Sequence, residues 1–451
     1  MNDVLAPSYD VIVVGGGPSG AIAARLLALE NVKVAVIERH KQFPLRVGES
    51  LMPRVYDMVH ELGLDARMAD VSHVAKFGAS FGFGHDKTLK RIAFTDGFPD
   101  GGTNAYNVER TSFDEMLLEA AREAGAEVHR GCSVQSIEKL EEGSVEVIAG
   151  GQRVSASYLV DASGANTLVG RRLGLRKPIP EFRKFAYYAH YTGVTRPEGL
   201  AAGDVVIIMC DEGWFWLIPI DATRTSVGLV VDAAWAKQSG IPPLDLLEWA
   251  IVRTPQVKSR CENAVRSSPI CARADFSYMC KPYAGPGYFL CGDAAIFIDP
   301  IFSAGVCLGM MTAQRAAKGI LSLLRGQVSP DKIQVSPEKV REDYISFVEY
   351  SSSIYFRLNQ SFYEQSFREF IVHPRSTFKI NRAMIAILGG HVFPPPLPFH
   401  LRWRLRLFER LIAAQRLVPI VPRRLTFSLA RGEAGQAQFD RSRQAQPAEA
   451  N

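Results

Sequence analysis

The sequence predicts an α/β chain: a parallel sheet wrapped by helices, a second α+β unit built on its own sheet, and a helical C-terminal region. Three observations predict it. Residues 9–38 read as strand, glycine-rich turn, helix and strand. Residues 183–232 are dense in alternating, β-branched and aromatic segments. From about residue 336 onward apolar residues recur at helical spacing between proline-rich breaks, notably FPPPLP at 393–398.

The 451 residues are 47% hydrophobic and 22% charged, enough for two or three packed units. A net charge of +5 is small over this length, and no basic stripe interleaves with aromatics, which argues against a nucleic-acid partner. The seven cysteines (132, 210, 261, 271, 280, 291, 307) are odd in number and lack C-x-x-C spacing. They read as free thiols of a cytosolic protein, with neither a disulfide framework nor a metal site. The N-terminal residues run into an apolar strand without a basic leader, and no apolar run approaches the roughly 18 residues of a membrane span. The expected setting is the cytoplasm, without integral membrane association.

Tyr9 to Val14 forms the first strand, AIAARLLALE the first helix, and Lys33 to Glu38 the second strand. Residues 112–124 predict an amphipathic helix capped by Ser112 and closed by Gly125. AEVHRGCSVQSIEKL, SVEVIAG and ASYLVDASG predict further strands. KFAYYAHYTGV, DVVIIMC, WFWLIPI and TSVGLVV predict the second sheet. YFLCGDAA is a strand, and Val306 to Leu324 a long apolar helix. The stretch from Gly435 onward is polar and expected to fray.

Gly15-Gly16-Gly17-Pro18-Ser19-Gly20 satisfies G-x-G-x-x-G between the first strand and helix. Gly15 permits the tight turn, Gly17 lets the backbone approach a pyrophosphate, and Gly20 lets the helix pack on the strand. Pro18 and Ser19 open the helix, whose N–H groups and dipole favour an anion. Glu38 ends the second strand 18 residues after Gly20, placed for ribose hydroxyls, with Arg39 beside it. Strand, turn, helix, strand and terminal acid in this order predict dinucleotide binding. Gly292-Asp293 ends a later strand, and Pro300 to Gly305 and Val306 lead into the long helix. That arrangement is similar to flavoproteins of the two-dinucleotide-binding type. In them an acid holds the ribityl chain, the helix N-terminus faces the flavin, and a residue placed as Arg110 is here also contacts the cofactor. The expectation is FAD.

Four motifs resemble the flavin-dependent halogenases over roughly residues 9–330, in the branch acting on phenols and carrier-bound pyrroles. Val47-Gly48-Glu49-Ser50-Leu51 with Pro53 looks like the family's G-E-S-x-x-P loop, which places Glu49 and Ser50 beside the flavin. Lys76-Phe77-Gly78-Ala79 looks like the segment carrying its essential lysine. Trp214-Phe215-Trp216-Leu217-Ile218-Pro219 matches W-x-W-x-I-P, and Asp299 to Gly305 looks like the halide loop.

The resemblance implies that reduced flavin and O2 oxidise chloride or bromide to hypohalous acid, which Lys76 relays to a separate aromatic substrate. Ser303, Ala304 and Gly305 would hold the halide, and Trp214, Trp216, Ile218 and Pro219 would wall substrate from flavin. Phe302 stands where tryptophan halogenases place a glutamate, which favours a phenol or pyrrole over free tryptophan. Ala304 replaces a frequent Ser or Thr, leaving halide binding to backbone N–H groups. No second glycine-rich turn for NADPH is visible after LVDASG, so a separate flavin reductase is the expected electron source.

The expected FAD unit comprises residues 1–75, 100–180 and 285–335; the substrate unit 76–99 and 181–284; the helical region 336–451. In HLRWRLRLFERLIAAQRLVPIVPRR, Trp403, Leu407, Leu411 and Ala414 share one helical face ringed by arginines. This reads as a helix packed over the substrate entrance, as a docking patch for an acidic acyl-carrier protein, or as a membrane-surface helix. No general base is named by the sequence; His190 and its neighbouring tyrosines are equally core residues. Hydroxylation, reduction of isoprenoid double bonds and a non-catalytic flavin-binding role remain as competing functions.

Overall fold

The computed structural model describes residues 5–85, 87–97, 103–274, 277–326, 336–373, 380–393, 395–424 and 426–431. The polar tail from Gly435 lies outside them. Val11–Val14 forms the centre of a six-stranded sheet, flanked in parallel by Val34–Glu38 and Tyr158–Asp161. Glu127–Arg130 and Tyr288–Leu290 extend it in parallel on either side, and Ala284–Gly285 adds a short antiparallel edge. Every residue of the three central strands is buried, as a parallel sheet covered on both faces requires.

The covering helices include Pro18–Ala28, Arg110–Glu123 and Ala304–Gly326. Two helix starts differ from expectation. Glu109, not Ser112, is the N-cap of the second, and Ser112 Oγ instead donates to the Glu109 carbonyl at 3.0 Å. Arg110 thereby enters the first turn, where it pairs with Asp114 one turn later. The third helix starts at Ala304 rather than Val306, because the left-handed Ser303 (φ 57°) ends the preceding turn there.

The second sheet runs in the order Val265–Arg266, Lys184–Thr192, Arg224–Asp232, Gly213–Pro219, Val205–Met209, Gly78–Phe83, Lys90–Ala93, with Cys271–Ala274 also paired to Lys184–Thr192. Its period of two divides the molecule into two cores. Trp214, Trp216 and Ile218 face the first unit, whereas Phe215 and Leu217 face a separate core with Leu246, Leu247 and Val257. Beside this sheet, His73–Lys76 pairs antiparallel with Ala105–Val108, Lys76 standing opposite Ala105.

Among the described residues four helices follow: Pro337–Phe362, Gln365–Val372, Ile380–Leu388 and Phe399–Leu417. The last one corrects the expected apolar face. Leu401, Leu405, Phe408 and Ile412 are buried, while Trp403 is 48% exposed and Leu407, Leu411 and Ala414 lie on the flank. Phe408 packs between Phe367 and Phe370, and that contact sets the rotation of the helix. Among the described residues no helix is long and apolar enough to cross a membrane.

Gly228 shows how tightly the tryptophan strand is packed: a Cβ there would overlap the Trp216 indole, which is pinned by its Nε1–H to Ser226 Oγ at 3.1 Å. Gly228→Ala should therefore lose about 1–3 kcal/mol of stability. Chemical denaturation checks this; an undiminished midpoint would show that the indole can yield.

Candidate active site

A cavity with an empty volume of about 1320 Å³, part of it open to solvent, lies where the two sheets and the long helix meet. Its wall brings together Gly17, Pro18 and Ser19 of the glycine turn with Glu49, Ser50 and Arg110. Opposite stand Trp214, Trp216 and Ile218; Asp293, Pro300, Ser303, Ala304, Gly305 and Val306 complete it. The motifs dispersed through some 290 residues of sequence thus converge on one chamber.

Six expected site residues do not line it. Gly15 and Gly20 lie behind the turn: Gly15 has φ +101°, and a Cβ on Gly20 would strike the Gly15 carbonyl. Glu38 is 3% exposed. Its Oε2 accepts the Gly16 N–H at 2.7 Å, and its Oε1 the His40 N–H at 2.8 Å. Burial pushes this carboxyl up, but those donors outweigh it and its pKa lies below the ordinary value. Lone pairs remain for a ribose hydroxyl. Arg39 is exposed, and Pro219 is buried at the end of the tryptophan strand. Lys76 is the sixth.

Lys76 is 4% exposed. Its Nζ donates to Ser50 Oγ at 2.8 Å and to the Leu51 carbonyl at 3.0 Å, and lies 5.3 Å from the Phe94 ring centre. Ser50 lines the cavity, so the amine stands one hydroxyl behind its wall. Burial lowers its pKa to about 8, against the field of Asp204, which favours the charge. Among the described residues it has no ion-pair partner.

The loop before the long helix is fixed at both ends. Asp299 Oδ1 accepts the Ile301 N–H at 3.0 Å, and Oδ2 accepts the Tyr363 hydroxyl at 2.7 Å. Tyr363 in turn accepts the Trp214 Nε1–H at 3.1 Å. Ala304 and Gly305 occupy the first turn of the helix, with N–H groups free of intrahelical partners. Phe302 is buried against Phe362 and Phe367 at 5.9 and 6.3 Å between ring centres.

The chamber suits FAD. A Cβ on Gly17 would meet nothing within 4 Å, so the turn has room for a pyrophosphate at the helix N-terminus. Asp293 opens into the cavity yet sits deep enough that burial raises its pKa to about 6, despite Arg110 and Arg46 nearby. Arg110 is braced by Asp114 at 2.8 Å and by the Val47 carbonyl at 2.9 Å.

Comparison with known proteins now decides the family. Residues 8–341 match the family model described as an FAD binding domain. The chlorinase of 1H-pyrrole-2-carbonyl peptidyl-carrier protein from Pseudomonas fluorescens is 32% identical over 416 residues, covering 85% of this chain and 90% of the relative. The chain belongs to the flavin-dependent halogenases. The corresponding brominase from Pseudoalteromonas luteoviolacea is 31% identical over 327 residues, 71% of this chain and 79% of the relative. The solved structure of the flavin-dependent brominase Bmp2 superposes with a TM-score of 0.76 at 27% identity, covering 89% of this chain and 99% of that one. The halogenase is an FAD-dependent enzyme with a halide co-substrate, on the α/β framework expected.

Sequence reasoning missed the contribution of the helical region. Tyr355 and Asn359, one turn apart on Pro337–Phe362, line the cavity, and Tyr363 at that helix's end ties loop to tryptophan. Their i, i+4 spacing put them on one face, but nothing local marked that face as inward. Arg46 was also missed, although it borders the G-E-S loop.

A carboxyl raised to about 6 costs stability where it is ionised, so the cost is absent below about pH 4 and complete above about pH 6. Apoprotein carrying Asp293→Asn should melt higher than the parent at pH 7 and equally at pH 4, while binding FAD about tenfold more weakly. Melting curves and flavin-fluorescence titration check both parts; tighter FAD binding would refute the contact.

Proposed function

We propose that the halogenase installs chloride or bromide on an electron-rich phenol- or pyrrole-type ring in secondary metabolism, with Lys76 as the catalytic amine. One observation carries this reading: a buried, proton-exchangeable amine one hydroxyl from the cofactor cavity. Gly17, Pro18 and Ser19 would hold the pyrophosphate, Asp293 the ribityl chain, and the Pro300–Val306 turn the flavin ring. When bound and reduced, FAD with O2 oxidises halide to hypohalous acid and leaves one oxygen as water.

Ala304 and Gly305 would offer backbone N–H groups to the halide at the positive end of a 23-residue helix, whereas the Ser303 N–H is engaged by the Pro300 carbonyl at 3.0 Å and leaves Ser303 only its hydroxyl to offer. Trp214, Trp216 and Ile218 keep the ring from the flavin, so oxygen is not transferred directly. Lys76 takes the oxidised halogen by hydrogen bond, or as N–X with release of water, and passes it to a ring carbon. That carbon exchanges its proton for halogen. A pKa of about 8 supplies neutral amine near physiological pH. With Phe302 enclosed by aromatic rings, the ring's own oxygen or nitrogen supplies the electron push. A separate reductase supplies reduced flavin, and free thiols suit the cytoplasm.

The carrier-tethered substrates named for the relatives bear on the last helix. Arg402, Arg406 and Arg410 form an exposed i, i+4, i+8 stripe beside exposed Phe399 and Trp403, without ion pairs among the described residues. Arg404 is half-buried and off this face. The stripe suits an acidic acyl-carrier protein.

Two experiments test these proposals. Mass spectrometry of products with chloride or bromide should show halogenated ring from the parent, at rates rising with pH to about 8, and at least about a hundredfold less from Lys76→Ala. Halogenation undiminished in that variant, or an oxygenated product formed without halide, would refute the mechanism. Reversing Arg402, Arg406 and Arg410 to Glu should cut kcat/KM for carrier-tethered substrate about tenfold and leave a free thioester analogue unaffected. Equal turnover of tethered substrate would remove the docking role.

A further inference from the structure

We infer that Glu49 and His190 form a buried pair whose open oxygen accepts the N–H or O–H of a ring bound in the cavity. Glu49 lines the cavity and is 1% exposed; His190, from the second sheet, is 3% exposed. Glu49 Oε1 lies 2.5 Å from His190 Nε2, a contact spanning 141 residues of sequence. The backbone N–H of His190 donates to Ser268 Oγ at 2.9 Å, which fixes its strand locally. Glu49 Oε2, by contrast, has no hydrogen-bond partner among the described residues.

An ionised carboxylate can only accept hydrogen bonds, and a buried acceptor left open is uncommon in folded proteins. Among the described residues no donor reaches that oxygen: Arg110 bonds Asp114 and Val47, Lys76 bonds Ser50 and Leu51, and the Tyr188 hydroxyl, within the field of Glu49, makes no bond to it. Because Glu49 lines the cavity, an occupant of the chamber is placed to supply the missing donor. His190 acts as a positioning residue, donating Nε2–H into Oε1 so that the carboxylate stays aimed at the cavity beside Trp216. The partner chemistry is a donor on a planar ring. A flavin imide N–H has it, and so does the O–H of a phenol or the N–H of a pyrrole. Chloride, bromide and other acceptor-only anions lack it. The identity of these occupants rests on the halogenase reading, whereas the open acceptor does not.

The test deletes the donor from the ligand and the acceptor from the protein. Apoprotein is titrated with FAD and N3-methyl-FAD. The FAD-loaded chain is titrated with pyrrole-2-carboxamide and its N1-methyl form, and with 4-hydroxybenzamide and 4-methoxybenzamide. In one arm the parent should prefer the unmethylated ligand about tenfold or more, and Glu49→Met should erase that preference. Glu49→Gln, which keeps the shape and one neutral acceptor, should weaken it and serves where the methionine variant does not fold. His190→Gln should preserve the preference and His190→Phe reduce it, separating aim from bulk. Preference in the FAD arm assigns the donor to the cofactor; preference in a ring arm assigns it to the substrate. No preference in any arm, or one that survives in Glu49→Met, overturns the inference. Every arm reads binding, so a chain that failed to halogenate any ring would leave the result standing.

Discussion

An amine that must sit away from water without a counter-charge is the constraint around which the site is built. Lys76 is held by two neutral acceptors, a hydroxyl and a carbonyl. A carboxylate in contact would lock it as ammonium and raise its pKa. The nearby acid, Asp204, is occupied by Arg91 Nε at 2.6 Å and by the Phe77 N–H at 3.2 Å, so its field reaches the amine without a direct contact. Burial therefore wins. The geometry comes from backbone pairing: Lys76 sits opposite Ala105, and Ser50 bridges to Asn107 two residues further along the same strand. Amine and hydroxyl are thus hung on one short strand between the two larger sheets.

The tryptophan face of the cavity has a comparable origin. A strand's period of two sends Trp214 and Trp216 to one side, with ring centres 5.8 Å apart, and Phe215 and Leu217 to the other. One sheet thereby serves as the wall of the cofactor chamber and as the roof of an independent core. Among the described residues the helical region ties that strand to the Asp299–Gly305 loop by hydrogen bonds of one phenol, and Phe362 packs on both. Tyr363 accepts from one tryptophan and donates to Asp299, and losing it would leave one buried carboxylate oxygen and an indole N–H without partners, a cost of about 1–3 kcal/mol for each. Loop and wall are therefore not free to move independently.

What the sequence disclosed follows from the range of the interactions involved. The glycine turn is local: a positive φ at Gly15 and close packing at Gly20 leave signatures within six residues. The tryptophan motif is local too, because alternation in one strand fixes which rings share a face. The basic helix was misread since two apolar stripes are available at helical spacing, and the choice between them is made by Phe367 and Phe370, far away in sequence. The Ser112 cap failed for a related reason. Glu109 makes no side-chain cap and carries no capping signal, and the Arg110–Asp114 pair on the buried side favours the earlier start. Glu49 with His190, and Asp299 with Tyr363, join segments more than sixty residues apart, and no periodicity encodes such a meeting.

These long-range contacts distribute the carboxylates of the chamber into distinct states, and that distribution constrains the chemistry. Asp299 has both oxygens engaged and is pushed up to about 6 by burial, so it serves the loop. Asp293 is raised to a similar value beside two arginines and opens toward the cofactor cavity. Glu49 alone combines a braced oxygen with an open one. Phe302 does not line the cavity; it is buried against Phe362 and Phe367 and brings no carboxyl to the loop. Of the three carboxylates, only Glu49 presents an unengaged oxygen to the cavity while its other oxygen is held, so under the proposed function an occupant that carries a hydrogen to give would meet it there.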